Sequence, residues 1–269
     1  MKHCFGLSYV PTEIPVHFRR EVRINCSTDK EGCTLETWEC LRRYAFVYLY
    51  VAAFFLGLAS LARHSAEAVS GFAPQTGSSV VVIDAGHGGE DGGTTGASGT
   101  AEDELNLAIA KRLEAMLTLM GWQTRMIRKD SGSLATEGET IRARKQSDLR
   151  NRVEVVNEYS NAILISIHQN HFPNPKYDGA QVFCTQNANE AAQAMQSALT
   201  KALCPHSPRS VKRASGVYLM EHIACPGLLV ECGFLSNPAE EQRLCSDAYQ
   251  KQLAVVMAAV LARFADGQI

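Results

Sequence analysis

The chain has 269 residues, 46% of them hydrophobic and 20% charged, with 26 basic and 28 acidic side chains for a net charge of −2. Such a composition describes a globular chain with room for one sizeable domain and a shorter appendage, and so balanced a charge excludes the basic field that nucleic acid or an anionic surface would need. Nine cysteines, odd in number and without a CxxC pair, supply neither a zinc knuckle nor a disulfide framework.

Residues 1–43 are polar, of mixed charge and without periodicity, as expected of a cytoplasmic or disordered segment. From Tyr44 to Ala62 the run "YAFVYLYVAAFFLGLASLA" carries no charge and comes after Arg42 and Arg43. It is long enough to cross a bilayer as a helix, and the preceding arginines place its N-terminal side in the cytoplasm. Residues 44–62 are therefore expected to be a membrane anchor or signal segment that exports the C-terminal part of the chain; Ala66 and Ala68 offer a cleavage site. Residues 63–78 form a linker, and a catalytic domain is expected over 79–269.

Within that domain, "SVVVIDAG" is a continuous apolar run, as a parallel strand covered on both faces requires. In "EDELNLAIAKRLEAMLTLMGW" Leu105, Ile109, Leu113, Met116, Leu117 and Met120 recur at helical spacing up to Gly121. "QTRMIRK" reads as a second strand, the residues from Asp130 to Asp148 as a polar loop, and "LRNRVEVVNEYS" as a helix. "NAILISIHQN" and "GAQVFCT" read as strands, "ANEAAQAMQSALTKAL" as a helix, "PGLLVECGFLSNP" as a last buried strand, and "YQKQLAVVMAAVLARF" as a closing helix. Cys184, Cys225 and Cys232 lie in these apolar stretches, where a thiol behaves as a small core residue. Strands alternating with helices predict an α/β fold: an open, mainly parallel twisted sheet with helices on both faces.

Three of the strands end on chemistry. "VVVIDAGH" delivers His87, "AILISIH" delivers His168 and "GLLVE" delivers Glu231. The C-terminal ends of parallel strands share one edge, where ligands bind. Glu102, at the start of the helix returning from the first strand, points back to the same edge. Two imidazoles and a carboxylate suit a catalytic zinc ion with an open position for water, and a second carboxylate can take that water's proton. The glycines around His87 let the backbone turn sharply and leave room for metal and substrate. Strand ends alone do not decide which glutamate binds metal.

Each residue also has a plainer reading. "GHGGEDGG" resembles a phosphate loop but lacks the GxGxxG spacing and the P-loop lysine. Glu102 could be the first-turn charge of a helix capped by Thr100 in a box closed by Asp103. His171 and His222 read as surface residues or as supports behind the site rather than as ligands. Taken together, the three strand-end groups are hard to explain by packing, because charged groups are rarely buried without a partner or a metal.

"VVIDAGHGGEDGG", "AEDELNLAIAKRL", "LRNRVEVVN", "ILISIHQN" and "LLVECGFLSNPAEE", in that order over residues 79–265, resemble the successive motifs of the zinc-dependent N-acetylmuramoyl-L-alanine amidases of the amidase-3 family. "IRARKQSDLRNRVEVVN" and "NHFPNPKYDGAQVF" most resemble its germination-specific members, which act on the spore cortex. The resemblance implies one Zn²⁺ held by His87, Glu102 and His168, with Glu231 as the catalytic carboxylate; Glu102 is favoured over Glu104 by its spacing to Asn106 and Leu107. It also implies supporting or substrate-binding roles for Arg152, Asn157 and Asn170.

The expected activity is hydrolysis of the amide between the lactyl group of muramic acid and L-alanine in peptidoglycan, in spore-cortex maturation toward muramic-δ-lactam and in germination. Expected partners are peptidoglycan, the membrane through residues 44–62, and an accessory activator protein; nucleic acid is not expected. Two alternatives stand beside this reading: a zinc carboxypeptidase or aminopeptidase on short peptides, and a non-catalytic wall-binding module.

Overall fold

The computed structural model describes residues 42, 44, 45, 49–57 and 79–269. The chain divides into two compact units, Met1–Ser65 and Ala66–Ile269. In the first, residues 49–57 are helical. Among the described residues no helix is long and apolar enough to cross a membrane; the anchor expected over 44–62 lies partly outside them, as do the segment 1–43, save residue 42, and the linker 63–78.

The second unit is built from β1 (Val80–Ala85), α1 (Glu102–Leu119), β2 (Thr124–Met126), α2 (Ile141–Asn157), β3 (Ala162–Asn170), β4 (Gln181–Cys184), α3 (Asn189–Leu203), β5 (Lys212–Arg213), α4 (Tyr218–His222), β6 (Gly227–Phe234), α5 (Pro238–Leu244) and α6 (Asp247–Ala265). Six strands form one sheet in the order β2-β1-β3-β6-β4-β5. All neighbouring pairs are parallel except β4–β6, which is antiparallel. The open, mainly parallel α/β sheet read from the strand–helix alternation is the observed fold.

The apolar runs are continuous because both faces of the sheet are covered. Val81, Ile83 and Ala85 join Ile163, Ile165, Ile167, Leu228, Val230 and Cys232 in a core beneath α1, α3 and α6. Val80, Val82, Ala162, Leu164 and Leu229 face the other way, toward Val156 of α2 and Leu219 of α4. Each fully buried Ile or Leu contributes about 1.5–3 kcal/mol. By the same alternation, Asp84, Ser166, His168 and Glu231 leave the sheet on the α2 face.

Three local readings are corrected. Helix α2 begins at Ile141, inside the stretch read as loop, with the Thr140 hydroxyl accepting from the Ala143 N–H. Its polar composition hid it, since it buries Ser147, Asp148 and Arg152 rather than a continuous apolar stripe. Helix α1 has Ala101 at its N-cap with no side-chain cap, so the capping box of Thr100 and Asp103 does not form. The short elements β5, α4 and α5 carry too little periodicity to be read from sequence.

Candidate metal centre

The crossover from β1 leads to β2 on one side of it, and the next crossover passes back to β3 on the other. The strand order therefore reverses between β1 and β3, and a crevice opens at the carboxyl ends of such a pair. His87 stands just beyond β1, and His168 near the end of β3.

His87 has φ 63°, and it alone is at positive φ among the non-glycine residues described. Such a conformation persists only where its surroundings enforce it. Arg152 Nη2 donates to the His87 carbonyl at 2.6 Å, while Gly88 N–H and Asp91 carbonyl close the turn at 2.8 Å. The imidazole is thereby aimed across the crevice at His168, with ring centroids 5.0 Å apart and planes at 77°.

Between the rings lies Glu102. Its Oε1 is 3.3 Å from His87 Nε2 and 3.1 Å from His168 Nδ1. Backbone N–H groups hold the carboxylate in place: Thr94 donates to Oε2 at 2.9 Å and Gln169 to Oε1 at 3.0 Å, and the Asn106 amide adds a contact at 3.3 Å. Burial pushes the Glu102 carboxyl up, but the two histidines outweigh it and hold it well below the ordinary carboxylate range. The first-turn glutamate thus serves the crevice rather than its helix.

One ligand atom from each of His87, Glu102 and His168 lies within 4.8 Å of the others, so this trio could hold a metal ion. Two imidazole nitrogens and a carboxylate oxygen are the donor set of a catalytic zinc centre with a position left open. Glycines keep the space clear: a Cβ on Gly86 would overlap the His168 ring, and one on Gly93 would crowd the Glu102 carboxylate. Glu104 is exposed and outside the trio.

Glu231 is the register partner of His168 on β6 and lines the same crevice as His87 and His168. Its Oε2 is out of contact with solvent and accepts no hydrogen bond. Desolvation raises its carboxyl to about 7, against the lowering influence of His168 and with a further push from the charge of Glu102. A carboxyl poised there can accept or donate a proton near neutral pH.

Residues around the trio hold it in place. Asp91 Oδ2 is 3.0 Å from His87 Nδ1 and 2.8 Å from Lys145 Nζ. Burial disfavours the charged His87 ring, but Glu102 and Asp91 overcome this and raise its pKa. Arg152 is buried, its Nη1 donating to Asp84 Oδ1 at 2.6 Å and to the Ala85 carbonyl, its Nε to Asp148 Oδ2 at 2.7 Å. The Ser166 hydroxyl donates to Asp84 Oδ2 at 2.6 Å. Arg152 thus binds β1 and its turn from beneath.

The other two residues expected to support the site stand at different ends of the sheet. The Asn157 side chain joins the His222 carbonyl and the Ala224 N–H, ahead of the start of β6 and therefore at the opposite edge of the sheet. Asn170 closes β3, and its carbonyl accepts from Leu235 N–H. His171 and His222 are exposed, and Cys184, Cys225 and Cys232 are buried, as read.

Sequence reasoning passed over Arg128, which is buried and donates to the carbonyls of Ala85, Gly86 and Asp103 at 2.8–3.0 Å. Its signal in the sequence is an arginine two residues past the end of β2, the strand paired with β1. Asp148 was equally legible, as an acid four residues before Arg152 on one helix.

Among known proteins, the family model described as N-acetylmuramoyl-L-alanine amidase matches residues 81–263. The germination-specific N-acetylmuramoyl-L-alanine amidase of Bacillus subtilis is 37% identical over 65% of this chain and 75% of its own length. The Escherichia coli N-acetylmuramoyl-L-alanine amidase AmiA is 29% identical over 68% of this chain and 74% of its own. Among solved structures, the CwlD amidase of Clostridioides difficile in complex with the GerS lipoprotein superposes with a TM-score of 0.67 and 31% identity, covering 70% of this chain and 99% of that one.

Proposed function

The chain belongs to the N-acetylmuramoyl-L-alanine amidase family and hydrolyses the amide that joins muramic acid to L-alanine in peptidoglycan; we propose that it does so with one zinc ion held by His87, Glu102 and His168, and with Glu231 as its acid–base group. The observation that carries this reading is the clustering of two imidazoles and a carboxylate in one glycine-lined crevice beside a carboxyl whose Oε2 has no hydrogen-bond partner.

A zinc ion held by His87, Glu102 and His168 would supply Lewis acidity to the scissile carbonyl and to the water that attacks it. The chain's own residues do the rest. Glu231 takes the proton of the attacking water on its unpartnered oxygen and returns it to the leaving nitrogen of L-alanine. The Asp91 carboxylate stands 3.0 Å from the far ring nitrogen of His87, where its charge favours a proton on that nitrogen and leaves Nε2 toward the crevice. Arg152 and Arg128 hold the carbonyls of the β1 turn, which fixes the backbone that carries the ring.

The biological setting is the spore cortex. The germination-specific B. subtilis relative supports this, and removal of the stem peptide there is the step that precedes muramic-δ-lactam formation. The GerS complex of the C. difficile relative supports an accessory protein as partner. Acting on peptidoglycan, the domain works outside the cytoplasm, with residues 44–62 as its membrane anchor or signal segment.

The test is mass spectrometry of the products formed when the zinc-loaded chain acts on peptidoglycan, beside Glu231→Gln. Intact stem peptides beginning at L-alanine, lost in the variant and on chelation, are expected. Cleavage confined to the interior of the stem peptide would replace the amidase by a peptidase.

A further inference from the structure

Glu231 and Gln181 are register partners across the antiparallel β6–β4 pair. Residues directly opposite in such a pair share a face, so Gln181 stands on the crevice side of the sheet, one strand spacing, about 5 Å, from Glu231. From there a second cleft opens, lined by Lys176, Tyr177, Asp178, Gln181, Arg209 and Lys212.

This cleft is cationic, and its arginine is held in place by its neighbours. Lys176 and Lys212 are exposed, Arg209 is half-buried, and Asp178 is the single acid among the lining residues. Among the described residues Lys176, Arg209 and Lys212 make no ion pair, unlike Arg112, Arg144, Lys145 and Arg152. The Arg209 guanidinium carbon stands 4.3 Å from the Phe234 ring centroid and 5.6 Å from that of Tyr177. Its Nε donates to the Asp178 carbonyl at 2.8 Å, and its Nη1 reaches Gln181 Oε1 at 3.4 Å. Stacking and these bonds set the plane of the fork in advance, which lowers the ordering cost of gripping a carboxylate. Aromatic walls concentrate the field of the three cations in the cleft.

We propose that this cleft is the subsite for the peptide part of the substrate, in which Arg209 and Lys212 bind a free carboxylate carried beyond the L-alanine. The inference rests on the amidase reading and adds to it: the enzyme selects stem peptides by negative charge, and amidation of those carboxylates weakens binding.

The test uses the full chain loaded with zinc and two muramoyl-peptides of one sequence, with the peptide carboxylates free in one and converted to primary amides in the other. Release of the L-alanine-terminal peptide from both is expected, with KM about 10-fold or more higher for the amidated substrate. In Lys212→Gln and Arg209→Gln the ratio of kcat/KM between the two substrates falls toward one. The Lys212 ammonium is exposed and makes no hydrogen bond among the described residues, so its variant reads the charge even if loss of Arg209 disturbs the Phe234 stack. Equal KM values in the wild type would overturn the proposal and leave the amidase reading standing, as would undiminished discrimination in Lys212→Gln with a folded Arg209→Gln. Failure to release that peptide from either substrate would overturn both readings.

Discussion

His168 and Glu231 are register partners on the parallel β3–β6 pair, and both leave the sheet on the face covered by α2. One imidazole of the trio and the unpartnered carboxyl beside it are thus set by one backbone ladder. The ladder slips just beyond them, between His168 and Asn170, and such irregularities re-aim strand-end side chains next to active sites.

This pairing separates metal binding from proton transfer. Glu231→Gln keeps the shape of the side chain but cannot exchange the proton. Activity is expected to fall by about 10²–10⁴-fold while zinc stoichiometry, measured by atomic absorption on dialysed protein, stays at one. Loss of zinc in the variant would make Glu231 a ligand instead.

The same residue gives the metal-free protein a pH signature. The Glu231 carboxyl is raised from 4.5 to about 7, so between those values the folded protein retains a proton that the unfolded chain has lost. Its contribution to stability is therefore full below 4.5 and declines as pH rises to about 7. Thermal denaturation of metal-free wild type and Glu231→Gln should diverge across this window, with the variant relatively more stable at the upper end. Parallel curves would show that Glu231 is not desolvated in solution.

Asp91 touches His87 from the side away from Glu102. Asp91→Ala should leave the fold intact but weaken zinc by about 10–100-fold, the usual cost of losing such an orienting carboxylate, as read by competition with a chromophoric chelator. An unchanged affinity would assign Asp91 only to its contact with Lys145.

Arg152 and Asp84 are both almost wholly buried, so removing the Asp84 charge leaves Asp148 as the one carboxylate still paired with Arg152 among the described residues. Asp84→Asn should destabilise the domain by about 3–5 kcal/mol in denaturant titration. Burial alone would raise the Asp84 carboxyl, but Arg152, His168 and the Ser166 hydroxyl bring it below its ordinary value. Its stabilisation is hence complete at neutral pH and lost as pH falls through the acid range. A variant as stable as wild type would mean that the ion pair only balances its own desolvation.

Gly86→Ala tests the crowding of the crevice. The new methyl group would overlap the His168 ring, so zinc stoichiometry should drop well below one even where circular dichroism shows a folded domain. Full occupancy would show that the ring can move aside.

The apolar runs of β1, β3 and β6 and the helical spacing of α1 and α6 were legible in the sequence because burial on both sheet faces leaves an uninterrupted pattern. The gathering of His87, His168 and Glu231 on one edge came from the same fact, since parallel strands must align their ends. Tertiary structure decided the rest, including a choice between glutamates that strand ends left open and the family resemblance only implied. Glu102 rather than Glu231 lies between the imidazoles, because the loop from Gly88 to Ala101 folds back and offers Thr94 N–H to its carboxylate. Arg128, Arg152 and the cleft around Arg209 take their meaning from carbonyls and rings 25–67 positions away in the chain. Such contacts leave no period in a sequence, because a side chain's partner across a fold is set by packing in three dimensions and not by spacing along the backbone.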